Sequence, residues 1–182
     1  MATVTLRPSA NGSLIQLAPT VGLQNYECVD EEVANDATDY VALAGSTVEA
    51  QTKYDLYDVP ASGIPAGSTI NNVTIYTRGR KVQVGTVIGR IARTLKTNAT
   101  QKVSAFDSLT TSWADYNTVW LTNPVTLAAW TIAEIDALEI GVGLYTAKSD
   151  VIESECTQVY VVVDYTPLAG IASKRLLVGV GL

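Results

Sequence analysis

The sequence predicts an all-β chain, and three observations carry that prediction. Its 182 residues include 22 Val, 22 Thr and 11 Ile. These β-branched types are stiff at χ1 and fit the pleated surface of a sheet. Several segments alternate with period two, the mark of a strand with one buried side. Finally, 13 Gly and 6 Pro break the runs into short pieces, as turns between strands require. The length suits one domain whose core needs no metal or disulfide to stand alone.

The elements follow in chain order. Residues 1–25 read as an N-terminal arm of short strand-like pieces around Pro8 and Pro19, with Asn11-Gly12 as a hairpin signal. Thr52–Val59 is a strand candidate, and Ser62–Ser68 is a loop by its Gly and Pro content. Ile70–Arg78 and Val82–Thr94 are further strand candidates. Thr131-Ile132-Ala133-Glu134 is a capping box, with Thr131 as N-cap and Glu134 reaching back to it. The helix it opens is one to two turns at most, because a strand begins at once. In that strand Leu138, Ile140, Val142 and Leu144 share a face. In Thr157–Tyr165 one face carries Val159, Val161, Val163 and Tyr165, and the other Gln158, Tyr160, Val162 and Asp164. The segment 167–182 is largely apolar, and a free apolar terminus is an aggregation hazard. It therefore either adds a strand to its own sheet or docks on another chain, with strand addition to a neighbouring subunit slightly preferred. Leu176, Leu177, Val178, Val180 and Leu182 are its candidate subunit-interaction residues.

Charge and composition exclude several functions. Hydrophobic residues are 47% of the chain and charged residues 16%, the latter low against roughly 25% in ordinary domains, which excludes general disorder. His is absent, so no imidazole base and no His-ligated metal exist. The net charge of −6 repels phosphate backbones at long range. The one basic cluster is Arg78-Gly79-Arg80-Lys81, followed by Arg90 and Arg93, and it lacks the interleaved aromatics that stack bases. Its simplest reading is strand-end charge that blunts a sheet edge. No nucleic-acid partner is expected. No basic-then-apolar leader opens the sequence, and no stretch approaches the roughly 18 apolar residues of a membrane span, so neither a signal peptide nor a membrane partner is expected.

Four constellations of side chains bear on chemistry. Asp30, Asp36 and Asp39 lie in the densest acidic stretch and could offer oxygens to Ca²⁺, but without EF-hand spacing a solvated loop is the simpler reading. Paired carboxylates for glycoside hydrolysis could come from Asp107, Asp115, Glu134, Asp136 or Glu139, yet nothing in the sequence sets two across a cleft. Trp113, Trp120 and Trp130 surround Tyr116. Trp120 and Trp130 read as packing residues. Trp113 and Tyr116 are the candidate glycan face, because exposed aromatic rings stack on sugars. Cys28 and Cys156 are either two buried thiols or, if their strands are neighbours, a disulfide. No catalytic residue, cofactor or metal site is assigned.

A family resemblance adds to this. Tyr54-Asp55-Leu56-Tyr57-Asp58-Val59-Pro60, then Ile64-Pro65-Ala66-Gly67-Ser68-Thr69-Ile70 and Val73-Thr74-Ile75-Tyr76, resembles the strand–loop–strand signature of jelly-roll modules. Such modules occur in phage structural proteins and in secreted wall-associated, carbohydrate-binding-like proteins. Trp120–Pro124, Ala129–Thr131, Ile135–Val142 and Cys156–Val161 are similar to later parts of that pattern, and Cys28–Glu31 with Asp39–Val41 to an early stretch of the phage versions. The resemblance implies a jelly-roll β-sandwich over residues 26–166, between an arm at 1–25 and an apolar arm at 167–182. With no signal peptide, the preferred expectation is a non-enzymatic virion protein. It would decorate a capsid or form part of a tail or fibre, made in the host cytoplasm and oligomeric against other virion proteins. The alternative is a carbohydrate-binding module, with or without structural calcium.

Overall fold

Period-two strands with one apolar face are stable only when two such faces meet. A computed structural model shows that meeting. It describes residues 1–168 except positions 21, 37, 47, 83–87 and 148–152. The strands are β1 Ala2–Leu6, β2 Ala10–Ile15, β3 Ala18–Pro19, β4 Val41–Ala44, β5 Gln51–Asp58 and β6 Thr69–Lys81. They continue as β7 Gly89–Thr97, β8 Thr100–Val103, β9 Asp107–Ser108, β10 Ala114–Trp120, β11 Glu139–Thr146 and β12 Glu153–Thr166. One helix, α1, covers Ile132–Asp136, and a 3-10 turn covers Tyr26–Cys28. The first sheet runs β10-β6-β12-β4-β3 with β1 also on β12. The second runs β2-β5-β11-β7-β8 with β9 also on β7. Every pairing between these strands is antiparallel. The architecture is a two-sheet, jelly-roll β-sandwich.

The core lies where the inward faces meet. Val73 and Ile75 of β6 and Val159, Val161 and Val163 of β12 face Tyr57 of β5, Ile91 and Leu95 of β7 and Ile140, Val142 and Leu144 of β11. Each is fully buried, and each large aliphatic contributes about 1.5–3 kcal/mol before ordering costs. The inward faces read in β11 and β12 are the ones observed, Ile140, Val142 and Leu144 on one and Val159, Val161 and Val163 on the other, although both sides of β11 are buried over Ile140–Leu144. Trp130 is buried, and its indole N–H donates to Trp120 O at 3.1 Å, so both act in packing. The capping box of α1 forms both ways: Glu134 N–H donates to Thr131 Oγ1 at 3.2 Å and Thr131 N–H to Glu134 Oε2 at 2.9 Å.

Several expectations change. Residues 1–25 are not an arm outside the sandwich. β1 pairs with β12, β2 with β5 and β3 with β4, and Leu6 and Leu17 join the core. Asn11-Gly12 makes no hairpin turn; it lies inside β2 where the register with β5 shifts. Asn11 Oδ1 instead accepts from Tyr26 N–H at 3.0 Å. Any side chain at Gly12 would meet Leu56 O, so the glycine serves a close approach of strands rather than a turn. The strand expected from Val82 begins at Gly89, and 83–87 lie outside the described residues. Arg78 and Arg80 sit on β6, which is flanked by β10 and β12, so they do not blunt an edge. No helix among the described residues is long and apolar enough to cross a membrane.

Candidate functional site

Most of the charged side chains singled out in the sequence are committed to structure. Arg78 clasps Asp36 through two contacts of 2.7 Å and reaches Asp115 at 3.0 Å. Asp36 thereby ties the 30–39 loop to the sheet. Arg80 pairs with Glu155 and lies over the Trp113 ring, 4.6 Å from its centroid. Arg93 points into the sandwich beside Ile91 and Leu95, donates to Thr118 Oγ1 across the gap and pairs with Asp107. Asp136 accepts from the N–H and hydroxyl of Ser62 at 2.8 and 2.6 Å.

Glu139 accepts from Lys96 Nζ at 2.6 Å and from the hydroxyl and N–H of Ser13. Burial alone would push Glu139 up, but the Lys96 and Ser13 hydrogen bonds outweigh it and hold the carboxyl below its usual range. Glu134 behaves likewise: its bonds from Thr131, Asn98 and Asn123 overcome desolvation. A general acid needs the opposite shift. All five carboxylates considered for hydrolysis thus have structural partners.

The proposed aromatic pair is divided. Trp113 immediately precedes β10 and Tyr116 lies within it, and their odd separation along the extended chain puts them on opposite faces. Tyr116 turns inward against the core, with its hydroxyl donating to Ser108 O. Trp113 stays outside under Arg80. They do not form one platform. Cys28 and Cys156 are both buried and both free. Cys156 Sγ donates to Gln158 O at 3.4 Å, so the disulfide alternative is replaced by two separate thiols. Leu176, Leu177, Val178, Val180 and Leu182, on which the assembly reading rests, lie outside the described residues.

The surface that the sequence reading missed is the outer face of the second sheet. Ile140, Val142 and Leu144 point inward, so Glu139, Gly141, Gly143 and Tyr145 point outward. Register places Leu56 and Thr94 beside Gly141, Tyr54 and Ala92 beside Gly143, and Thr52 and Arg90 beside Tyr145. Leu56 and Ala92 are buried without belonging to the inter-sheet core, as members of this outer floor. A Cβ on Gly143 would lie 2.6 Å from the Tyr54 ring. The missing side chain is what lets that ring lie across the sheet.

Tyr54 remains half-buried, and burial raises its hydroxyl pKa. Beside it the Tyr145 ring has Arg90 at 5.5 Å from its centroid and Phe106 edge-on at 6.5 Å. Gln101 donates to Thr94 at 3.1 Å on the same face. The Ser13–Lys96–Glu139 cluster closes the far end. A cavity of about 410 Å³ opens along Glu49–Lys53, immediately before Tyr54. The signal available in sequence was Tyr54 two residues before Leu56, and Gly141 and Gly143 alternating with core residues. The 89-residue separation of Tyr54 and Gly143 hid their contact.

No family model matches the chain, and no curated protein matches it. Among solved structures it is similar to TmCBM61 in complex with β-1,4-galactotriose, at 10% identity and TM-score 0.44, over 80% of this chain and 86% of that one. It is also similar to the C-terminal CBM6 of LamC, a marine laminarinase from Zobellia galactanivorans, at 12% identity and TM-score 0.43, over 90% of this chain and all of that one. A third likeness is to the N-terminal cellulose-binding domain of Cellulomonas fimi β-1,4-glucanase C, at 12% identity and TM-score 0.37, over 93% and 91% of the two chains. The fold assignment stands on the strand pairing above.

Proposed function

We propose that this chain is a non-catalytic binding module that holds a carbohydrate on the outer face of its second sheet. The observation that carries the reading is the Tyr54 ring laid across Gly143, beside Tyr145. A pyranose presents an apolar face of C–H bonds, and a tyrosine ring lying along a sheet is a flat apolar partner for it. The hydroxyls around the sugar rim need polar partners, and Gln101, Arg90 and the Ser13–Lys96–Glu139 cluster border the ring on this face. The face from Glu139 to Tyr145 is about 20 Å long, enough for several sugar units in a row. Binding needs no bond making, which agrees with the structural partners of Asp107, Asp115, Glu134, Asp136 and Glu139.

The test is affinity electrophoresis and calorimetry of the wild type against neutral plant and algal polysaccharides, with Tyr54→Ala and Trp113→Ala alongside. The expected result is binding of at least one polysaccharide, weakened tenfold or more by Tyr54→Ala and unchanged by Trp113→Ala, with both variants folded by circular dichroism. Binding lost only in Trp113→Ala would move the site to the first sheet. No binding to any polysaccharide would end the proposal.

A further inference from the structure

Strand β12 has a gap along the side away from β6. β4 pairs with it as far as Cys156, and β1 takes over only at Val161. The segment 29–32 fills this gap. Val29 is fully buried, and its carbonyl oxygen accepts from Val159 N–H at 2.9 Å. Gln158 Nε2 donates to Glu31 O at 2.8 Å, and the Arg7 guanidinium, just past β1, donates to Glu31 O and Glu32 O. Asp36, clasped by Arg78, anchors the chain beyond the segment. The backbone of this plug is well tied, but one of its side chains is not. Glu31 Oε2 is buried and has no hydrogen-bond partner. The charges that face it are Asp30 on its own segment, Asp39 ahead of β4 and Arg7 after β1, with the thiols of Cys28 and Cys156 near by. Arg7 donates to the two carbonyl oxygens and makes no ion pair with the Glu31 carboxylate. A carboxylate that lacks a donor and shares its site with two others is the disfavoured form there, and the neutral acid is the tolerated one.

We propose that Glu31 is a pH-sensitive latch: while neutral it lets the segment 29–32 lie closed in the gap of β12, and loss of its proton to water favours release of that segment. The release is local, because both flanks are held independently. On one side Cys28 N–H is bonded to Asn25 O and Tyr26 N–H to Asn11 Oδ1, and on the other Asp36 stays on Arg78. What the release uncovers is the backbone of β12 over residues 157–160, with Val159 N–H deprived of its acceptor. Two features set the direction. In the closed state burial, joined by Asp30 and Asp39, pushes the carboxyl up to about 7, whereas in water it returns to about 4.5. Opening therefore releases a proton, becomes more favourable as pH rises from about 4.5 to about 7, and levels off above that.

The test is hydrogen exchange of the Val159 amide in the full chain between pH 5 and 8, corrected for the intrinsic pH dependence of exchange, without and with low urea. The ladder amides of β11 report global unfolding in the same samples. Wild type is compared with Glu31→Gln, which cannot ionise, and with Asp39→Asn, which removes one facing charge and keeps the Glu31 carboxyl. In wild type Val159 should exchange faster than the β11 amides and respond little to urea, as a local opening does. Its protection should fall roughly fiftyfold from pH 5 to pH 8. In Glu31→Gln that fall should vanish, and in Asp39→Asn it should level off at a lower pH. Three results would each overturn the proposal. One is Val159 protection that does not change with pH in wild type. Another is an undiminished fall in Glu31→Gln, which would assign the proton to a different group. The third is Val159 matching the β11 amides in rate and urea dependence, which would make the opening global.

Discussion

Two carboxylates, one buried and one half-buried, show how much an individual environment decides. Asp55 is fully buried, yet it is satisfied. Oδ1 accepts from Gln16 and Leu17 N–H at 2.7 and 2.9 Å, and Oδ2 from Asn25 Nδ2 and the Tyr57 hydroxyl at 2.7 and 3.0 Å. It fastens the N-terminal segment to β5. Glu31 is the contrasting case, because its Oε2 is buried with no hydrogen-bond partner. Burial first, then the neighbouring Asp30 and Asp39, push its carboxyl up to about 7, against the opposing pull of its own backbone and Arg7. A carboxyl raised in the folded state binds its proton more tightly there than when unfolded. Its favourable contribution is complete below about pH 4.5 and is lost as pH rises through about 7. Glu31→Gln should therefore raise the melting temperature at pH 8 and leave it nearly unchanged at pH 4.5. Calorimetric scans at the two pH values check this, and an equal shift at both would disconnect the effect from ionisation.

At the scale of the element, the glycines of β11 are set by what lies across from them. Gly141 is the strictest: a Cβ there would fall 1.9 Å from Asp55 O, a backbone atom that cannot swing aside. Gly141→Ala must separate β11 from β5, a change of the overpacking kind that costs about 1–3 kcal/mol or more. Urea unfolding of this variant should show a clearly lowered midpoint, while Ala147→Gly, outside the strand, should not approach that loss. Gly143 differs because its neighbour is the Tyr54 ring, which can move. There an alanine should disturb the lie of the Tyr54 ring, the proposed sugar platform, more than the stability. Much of this was legible beforehand. The alternation in β11 and β12, the loop at Ser62–Ser68 and the capping box at Thr131 are local patterns that the fold keeps, whereas the local hairpin signal at Asn11-Gly12 is overridden by the pairing of β2 with β5. The short strands of residues 1–25 were legible as such, but not their place in the sandwich, because only β5, β12 and β4 decide where they pair.

For the whole molecule, the sandwich gains its cohesion from the apolar layer and its alignment from a few polar ties that cross it. Arg93 spans from β7 to Thr118 on β10 and so joins the two sheets, while Thr157 of β12 donates to Asp39 O at 2.8 Å and ties the loop before β4 to the first sheet. The Arg93 tie forms only once both sheets are assembled. The two thiols report on that assembly. Cys28 and Cys156 are fully buried. Burial pushes the Cys156 thiol up to about 12 and also raises Cys28, so neither is an accessible thiolate in the native state. Reaction with an aromatic disulfide reagent should be negligible in native buffer and should reach two thiols per chain in denaturant. The rate of approach should match global unfolding. Rapid labelling of one thiol without denaturant would reveal a local opening around the Tyr26–Cys28 turn.

The sequence by itself determined what depends on near neighbours along the chain. β-branched composition and period-two alternation made the chain a two-sheet protein. A Thr–Glu pair three residues apart capped α1, and the absence of His closed off imidazole chemistry. The tertiary structure alone decided what depends on register between distant strands. It gave Asp36 to Arg78, turned Trp113 and Tyr116 to opposite faces, and laid Tyr54 over Gly143. The physical reason is that a strand's own pattern fixes which residues share its face but not which strand lies beside it. Pairing is settled by the sum of contacts over the whole sheet, and a one-residue change of register would exchange every inward side chain for an outward one.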